Sequence, residues 1–189
     1  LEEPKNEKIL IEPALEGTLR ALNAAKKSGI KKFILTSSMA SIAYGHSKVL
    51  CDSKDWTNTN KDVGAYIKSK TIAEKAAWDF VKNLTEKDFS MTTIHPGMVF
   101  GPLLNDDCNG ASASLIKNLI EGKFPALPDL YFTVVDVRDV AKLHVQSLKN
   151  SGSDNKRIIA TSSNSIAFLE ISKILREFGF DKAPLNLIP

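Results

Sequence analysis

Apolar residues along this chain switch repeatedly between helical spacing and short continuous runs. Ile11, Leu15, Leu19 and Leu22 share one helical face, so residues 11–27 predict a helix, with Pro13 in its opening turn and Gly29 beyond its end. Residues 32–37 then read as a buried strand. Residues 39–62 carry Gly45, Asp52, Asp55, Asn58 and Asn60 and predict a long loop, of a length usually tied to function or disorder. A second helix is expected over 63–84. There Tyr66, Lys70, Ala73, Ala77, Phe80 and Leu84 recur at 4-3-4-3-4 spacing, which predicts that Tyr66 and Lys70 face the sheet. Residues 89–95 predict another buried strand, closed by Pro96-Gly97. A helix at 112–121, a strand at 131–135, a helix at 137–148, a strand at 157–161 and a helix at 167–178 follow. This alternation argues for an α/β fold with a largely parallel sheet. No internal repeat, low-complexity tract or interdomain linker interrupts it.

Composition narrows the function classes. The 189 residues suit one domain, and 43% hydrophobic with 25% charged residues is a soluble globular composition. The net charge of +3 is spread along the chain, so no nucleic-acid partner is expected. No apolar run approaches the ~18 residues of a membrane helix, and no signal peptide is visible. Cys51 and Cys108 lie far apart without a Cys-x-x-Cys or clustered His, so neither a zinc site nor a disulfide framework is expected. Two free thiols fit a reducing compartment, and a cytoplasmic location is the expectation. The chain opens at Leu1 without Met and stops at Pro189 just after a helical pattern, as part of a longer protein would.

The candidate chemistry centres on Tyr66-Ile67-Lys68-Ser69-Lys70. Tyr and Lys at i and i+4 project from the same side of a helix. Ser38 ends the strand-like run in front of them. A strand-end hydroxyl, a phenol and an ammonium can together polarise and protonate a carbonyl. Tyr66 would donate the proton, and Lys70, one turn away, would favour the phenolate and bond ribose hydroxyls. Ser38 would hold the substrate oxygen, with Ser37 as the alternative hydroxyl. Ser38 and Pro96 both fall at strand carboxyl ends, where doubly wound sheets bind ligands. No side chain supplies a hydride, so the trio implies a nicotinamide cofactor. The plain alternative for Tyr66 and Lys70 is a pair of half-exposed helical residues. His46, His95 and His144 are scattered and read as surface or packing residues. Trp56 and Trp78 read as loop and helix packing. Phe124, Leu127, Leu130, Tyr131 and Phe132 serve equally as a pocket wall or as core. Asp136 and Asp139 read as an N-cap and a first-turn acid of the following helix.

Four motifs occur in order: Thr36-Ser37-Ser38, Tyr66-x-x-x-Lys70, Pro96-Gly97-Met98-Val99-Phe100-Gly101-Pro102 and Val135-Asp136-Val137-Arg138-Asp139-Val140-Ala141. Together they resemble an extended short-chain dehydrogenase/reductase of the NAD-dependent epimerase/dehydratase superfamily. The similarity is to its dihydroflavonol reductase-like branch, with cinnamoyl-CoA reductases and microbial aldehyde/ketone reductases. It covers nearly the whole chain. It implies the later half of a Rossmann-type doubly wound, largely parallel sheet, as a single partial domain over 1–189. Elements of a small substrate lobe would fall at about 103–133 and 162–189.

The resemblance also implies Ser38, Tyr66 and Lys70 as catalytic residues. Thr36, Ser37, Tyr66, Lys70, Pro96, Gly97 and Val99 would contact the cofactor, with the Pro96-to-Val99 turn packed on nicotinamide. The implied activity is NADP-dependent (alternatively NAD-dependent) reduction of a small aldehyde or ketone by a monomer or homodimer. Sugar-nucleotide epimerases, dehydratases and hydroxysteroid-type dehydrogenases use the same scaffold. A non-catalytic nucleotide-binding regulator is the alternative of another class, against which retention of all three residues counts. Two departures stand out. No Gly-x-Gly occurs among the 10 glycines, so the phosphate-binding loop and the residue reading the ribose 2′ position are expected before Leu1, and residues 1–189 alone are expected to be inactive. Ala43 stands where plant dihydroflavonol reductases carry an Asn five residues past the catalytic Ser, which argues against a flavonoid substrate.

Overall fold

The computed structural model describes residues 3–85, 88–104 and 110–188, so Cys108 lies outside the described residues. In chain order come α1 (Lys8–Lys27), β1 (Lys32–Thr36), a 3-10 turn (Met39–Ser41), α2 (Ala65–Lys82), β2 (Ser90–Pro96), β3 (Met98–Phe100) and α3 (Ala111–Ile120). β4 (Tyr131–Asp136), α4 (Val137–Lys149), a second 3-10 turn (Ser151–Ser153), β5 (Arg157–Ala160), β6 (Ser165–Ala167) and α5 (Phe168–Glu177) follow. Two units divide these elements: Leu1–Pro96 with Ala141–Ala160, and Gly97–Val140 with Thr161–Pro189. Among the described residues no helix is long and apolar enough to cross a membrane.

In the first unit, β1, β2 and β5 form a parallel sheet in the order β1-β2-β5, with Ile34 opposite Thr92 and Ile94 opposite Ile158. Every residue of β2 after Ser90 is buried, as a central parallel strand requires. Its two threonines do not go unpaired. Thr92 Oγ1 donates to the Ser153 carbonyl at 2.7 Å, and Thr93 Oγ1 to Glu74 Oε1 at 3.1 Å. Leu22 and Ala25 of α1, Ala77 of α2, and Phe89 and Met91 make the apolar core, with Phe33, Leu35 and Trp78 packed around it.

Helix α1 begins at Lys8, so Pro13 sits in its second turn rather than its first. The carbonyl this leaves without a helical N–H belongs to Ile9, an exposed residue. The end is as expected: Gly29, at φ 70°, donates to the Lys26 carbonyl and Ile30 to that of Ala25, a Schellman closure. The face of α2 differs by one position from the expectation. Ala65, Ser69, Ala73 and Ala77 are buried with Thr71 and Glu74, whereas Tyr66 is 47% exposed. Small side chains let the helix approach closely, which large-residue periodicity does not register.

The expected long loop does exist, but it is tied down. The Thr57 amide donates to the Ser41 carbonyl and the Asn58 amide to that of Tyr44, each at 2.9 Å. Nor is Pro96-Gly97 a turn that ends a strand. One residue separates β2 from β3, and a Cβ on Gly97 would lie 2.3 Å from the Thr133 carbonyl oxygen.

In the second unit β4 pairs parallel with β3 and antiparallel with β6. Three-residue β6 was not anticipated, being too short to show a period. Phe124 and Phe132 meet Phe168 edge-on at 5.7 and 5.4 Å, around Leu119, Leu127 and Ile171. Phe124, Leu127 and Phe132 are therefore core, whereas Leu130 and Tyr131 are exposed. Asp136 does cap α4, its Oδ1 accepting from the Arg138 amide at 2.8 Å, and Asp139 lies in the first turn.

The first unit also buries a carboxylate. Glu74 is 1% exposed, and its oxygens accept from six side chains, on α2, β2, β5, the 3-10 turn and the residue just past β1. Ser37 Oγ donates at 2.6 Å, Trp78 Nε1 at 3.1 Å, Arg157 Nε at 2.8 Å and His95 Nε2 at 2.8 Å, alongside Thr93 and Ser41. His95 is thus fully buried, with Nε2 hydrogen-bonded to Glu74, and does not lie at the surface. Arg157 reaches on to the Ser53 and Asp55 carbonyls and lies 3.7 Å from the Trp56 ring centroid, so the loop is pinned to the sheet. Burial pushes the Glu74 carboxyl up, but hydrogen bonds from His95 and Arg157 outweigh it and hold it well below the usual carboxylate range.

Two outcomes follow for stability. Glu74 is expected to ionise more readily folded than unfolded, where a Glu titrates near ~4.3. The unfolded chain therefore takes up the proton first, and the Glu74 contribution is present at neutral pH and fades below about pH 5. Glu74→Gln should destabilise by about 3–5 kcal/mol at pH 7 and flatten the acid limb, read from urea midpoints across pH 3–7. An unaltered acid limb would contradict the assignment. Gly97→Ala should lower stability by about 1–3 kcal/mol through overpacking against Thr133, which the same unfolding experiment measures.

Candidate active site

Ser37 and Ser38 lie just past β1, and extended backbone turns their side chains opposite ways. Ser37 points inward to Glu74 and is buried. Ser38, at φ −160° and ψ 155°, caps the following 3-10 turn, and its Oγ accepts from the Ala40 amide at 3.1 Å. Its own proton has no acceptor among the described residues. A hydroxyl that accepts through one lone pair can still donate its proton to a second partner. The turn leans on α2, since Thr71 Oγ1 lies 3.4 Å from the Ala40 carbonyl, which also accepts from Thr57 at 2.7 Å.

Tyr66 occupies the first turn of α2. Gly64, at φ 87°, starts the helix, and a carboxylate from elsewhere in the chain supplies the missing cap: Glu3 Oε2 accepts from the Ala65 amide at 3.0 Å. Glu7 pairs with Lys68 at 2.7 Å, on the same turn. Lys70 Nζ lies 5.9 Å from the Tyr66 ring centroid. Lys70 is half-buried, and among the described residues no acidic side chain lies within ion-pair distance of it. The structure thus brings Tyr66 and Lys70 together at the exposed end of α2.

Of the other candidates, Thr36 pairs with Ile94, and its hydroxyl is 2.8 Å from His144 Nε2. Pro96 is the last residue of β2 and pairs with Ala160. Ser38 and Pro96 each lie two residues beyond the Thr36–Ile94 pair, at the carboxyl ends of adjacent parallel strands. Gly97 and Val99 belong to the second unit. Val99 pairs with Val135 in β3 and lines a groove of about 630 Å3 with Phe100, Leu103, Ile116 and Ile120. His46 Nε2 bonds the Ile42 carbonyl at 2.9 Å.

The residues present fit one end of a nicotinamide dinucleotide. Lys70 offers an ammonium with no acid beside it among the described residues, suited to ribose hydroxyls. A pyrophosphate needs backbone N–H groups at a glycine-rich turn opening a helix, and these 189 residues contain no Gly-x-Gly. Glu74 and Arg157 are the residues that sequence reasoning missed. Their signal was faint: a Glu within the small-residue face of a helix, and an Arg opening an apolar strand.

Comparison with known proteins matches residues 3–160 to the NAD dependent epimerase/dehydratase family. The chain is 39% identical over 176 residues to cinnamoyl-CoA reductase CAD2 of Medicago truncatula, across 89% of this chain and 52% of that protein. It is 30% identical over 191 residues to the NADPH-dependent methylglyoxal reductase GRE2 of Saccharomyces cerevisiae, across 91% and 56%. The crystal structure of Gre2 from Candida albicans aligns with a TM-score of 0.83 at 30% identity, across 100% of this chain and 61% of that one. The chain spans about half the length of the curated relatives it matches. A family match over most of its residues, joined to a parallel sheet that superposes on Gre2, shows that the chain belongs to the NAD-dependent epimerase/dehydratase family and has the α/β fold of part of a Rossmann-type domain.

Proposed function

We propose that this chain is the carbonyl-activating part of an NADPH-dependent reductase that converts a small aldehyde or ketone to its alcohol. The observation that carries the reading is the Tyr66–Lys70 pair, 5.9 Å from ammonium to ring, on the helix against which the Ser38 turn packs. NADPH supplies the hydride in such a reaction. Ser38 donates its unengaged proton to the substrate oxygen and holds it as negative charge develops there. Tyr66 delivers the proton that completes the alcohol. Lys70 bonds the nicotinamide-ribose hydroxyls and offsets charge on the phenol oxygen. Relatives named as reductases, two of them as NADPH-dependent methylglyoxal reductases, favour reduction over epimerisation.

In the full-length protein, Tyr66→Phe keeps the ring and removes the donor, so kcat should fall by about 10²–10⁴-fold with little change in NADPH affinity. Lys70→Ala should weaken NADPH binding as well as turnover. Following NADPH oxidation against a panel of aldehydes and ketones measures both, and a Tyr66→Phe variant with near-normal kcat rejects the reading. The 189 residues alone should bind NADPH poorly, because only its nicotinamide-ribose end finds partners there. Calorimetric titration tests this; micromolar binding by these residues would mean that the pyrophosphate is held in some other way.

A further inference from the structure

Tyr66, Lys70 and Glu74 are spaced i, i+4, i+8 on α2, so one helix carries the proposed proton donor at its exposed end and a buried carboxylate two turns on, about 12 Å along the axis. Glu74 has a direct line to Ser38. Ser37, the preceding residue, donates to Glu74 Oε2 at 2.6 Å. Ser41, fully buried, places its Oγ within hydrogen-bond distance of both Glu74 Oε2 and the Ser38 carbonyl, the latter at 2.9 Å. The backbone of Ser38 is thus gripped from both sides by groups anchored on the helix that bears Tyr66 and Lys70. His95 and Arg157 hold the carboxylate from β2 and β5, which leaves it no freedom to swing.

We infer that Glu74 is a positioning residue for the proposed carbonyl reduction, acting through Ser37 and Ser41 to hold the Ser38 hydroxyl in register with Tyr66. This rests on the reading of Ser38, Tyr66 and Lys70 as the reacting groups. An ionised carboxylate offers about four acceptor sites, all directed at donors here, whereas a Gln amide in its place offers half as many and adds two donors. The Ser38 segment then loses its anchor. Misplacement of a reacting group by about 1 Å lowers rates by up to ~10²-fold. Lys70 is not among the partners of Glu74, so cofactor binding is spared.

A double-mutant cycle in the full-length protein separates positioning from bulk stability. Glu74→Gln should lower kcat by about 10–10²-fold with NADPH Kd nearly unchanged. In a Ser38→Ala background the same substitution should add little, because no hydroxyl remains to be misplaced. Ser41→Ala, which deletes a single hydroxyl, should show the same non-additivity on a smaller scale, and it carries the test if Glu74→Gln fails to fold. Equal losses with and without the Ser38 hydroxyl overturn the inference, as does wild-type kcat in Glu74→Gln or, if that variant does not fold, in Ser41→Ala. If Ser38→Ala alone leaves kcat intact, the Ser-Tyr-Lys reading itself falls, and the role assigned to Glu74 with it.

Discussion

A carboxylate sealed from water must be met by donors on every side, and in this chain that requirement binds the first unit together. Removing an ion from water costs several kcal/mol even after relaxation, and the loss is recovered only when its partners converge with good geometry. Ser37, Ser41, Trp78, Thr93, His95 and Arg157 do converge on Glu74, from a strand end, a 3-10 turn, the helix itself and two further strands. Sliding α2 along the sheet, or shifting β5 against β2, would strand a charge. Apolar contacts among Leu22, Ala77 and Met91 supply bulk cohesion but tolerate such shifts far better. Specific register in this unit therefore comes from a polar cluster inside an apolar core.

The candidate chemistry sits at the rim of that cluster. Tyr66 is half exposed where α2 emerges, and Ser38 lies where β1 gives way to a turn. Both are carried by elements whose other ends are locked, an arrangement that holds reacting groups more closely than a loop would. Arg157 extends the lock outward, spanning from Glu74 to the carbonyls of Ser53 and Asp55 and across Trp56. A segment of the length seen between the 3-10 turn and α2 would otherwise be the loosest part of the unit.

The same residues explain which half of a dinucleotide they suit. Parallel strands present their carboxyl ends side by side, so Ser38 and Pro96 fall level with each other, while the Lys70 ammonium lies 5.9 Å from the Tyr66 ring centroid on α2. In the proposed reading, a nicotinamide-ribose would be held by the Lys70 ammonium. A pyrophosphate asks for something else, a glycine-rich strand-to-helix turn, and the 10 glycines of the chain include no Gly-x-Gly. Gly29 closes α1, and Gly97 lets the backbone pass Thr133 without a clash.

Much of the fold was legible because it rests on local periodicity. The α/β alternation, the strands at 32–36 and 90–96 and the Gly29 closure all follow from residue spacing and turn chemistry. So does the proximity of Tyr66 to Lys70, since one helical turn guarantees it. What the sequence could not determine depends on contacts between distant positions. Ala65 and Ser69 outcompeted Tyr66 and Lys70 for the buried face of α2 because close helix approach rewards small side chains, which hydrophobic spacing does not weigh. His95 looked like a stray imidazole until Glu74, 21 residues away in the sequence, was seen beneath it. Arg157 and Glu74 stand 83 residues apart and have no common motif. Periodicity reports which side of an element is dry. Only the assembled sheet decides which charged groups share that dry side, because the pairing energy exists once all of the partners arrive and not before.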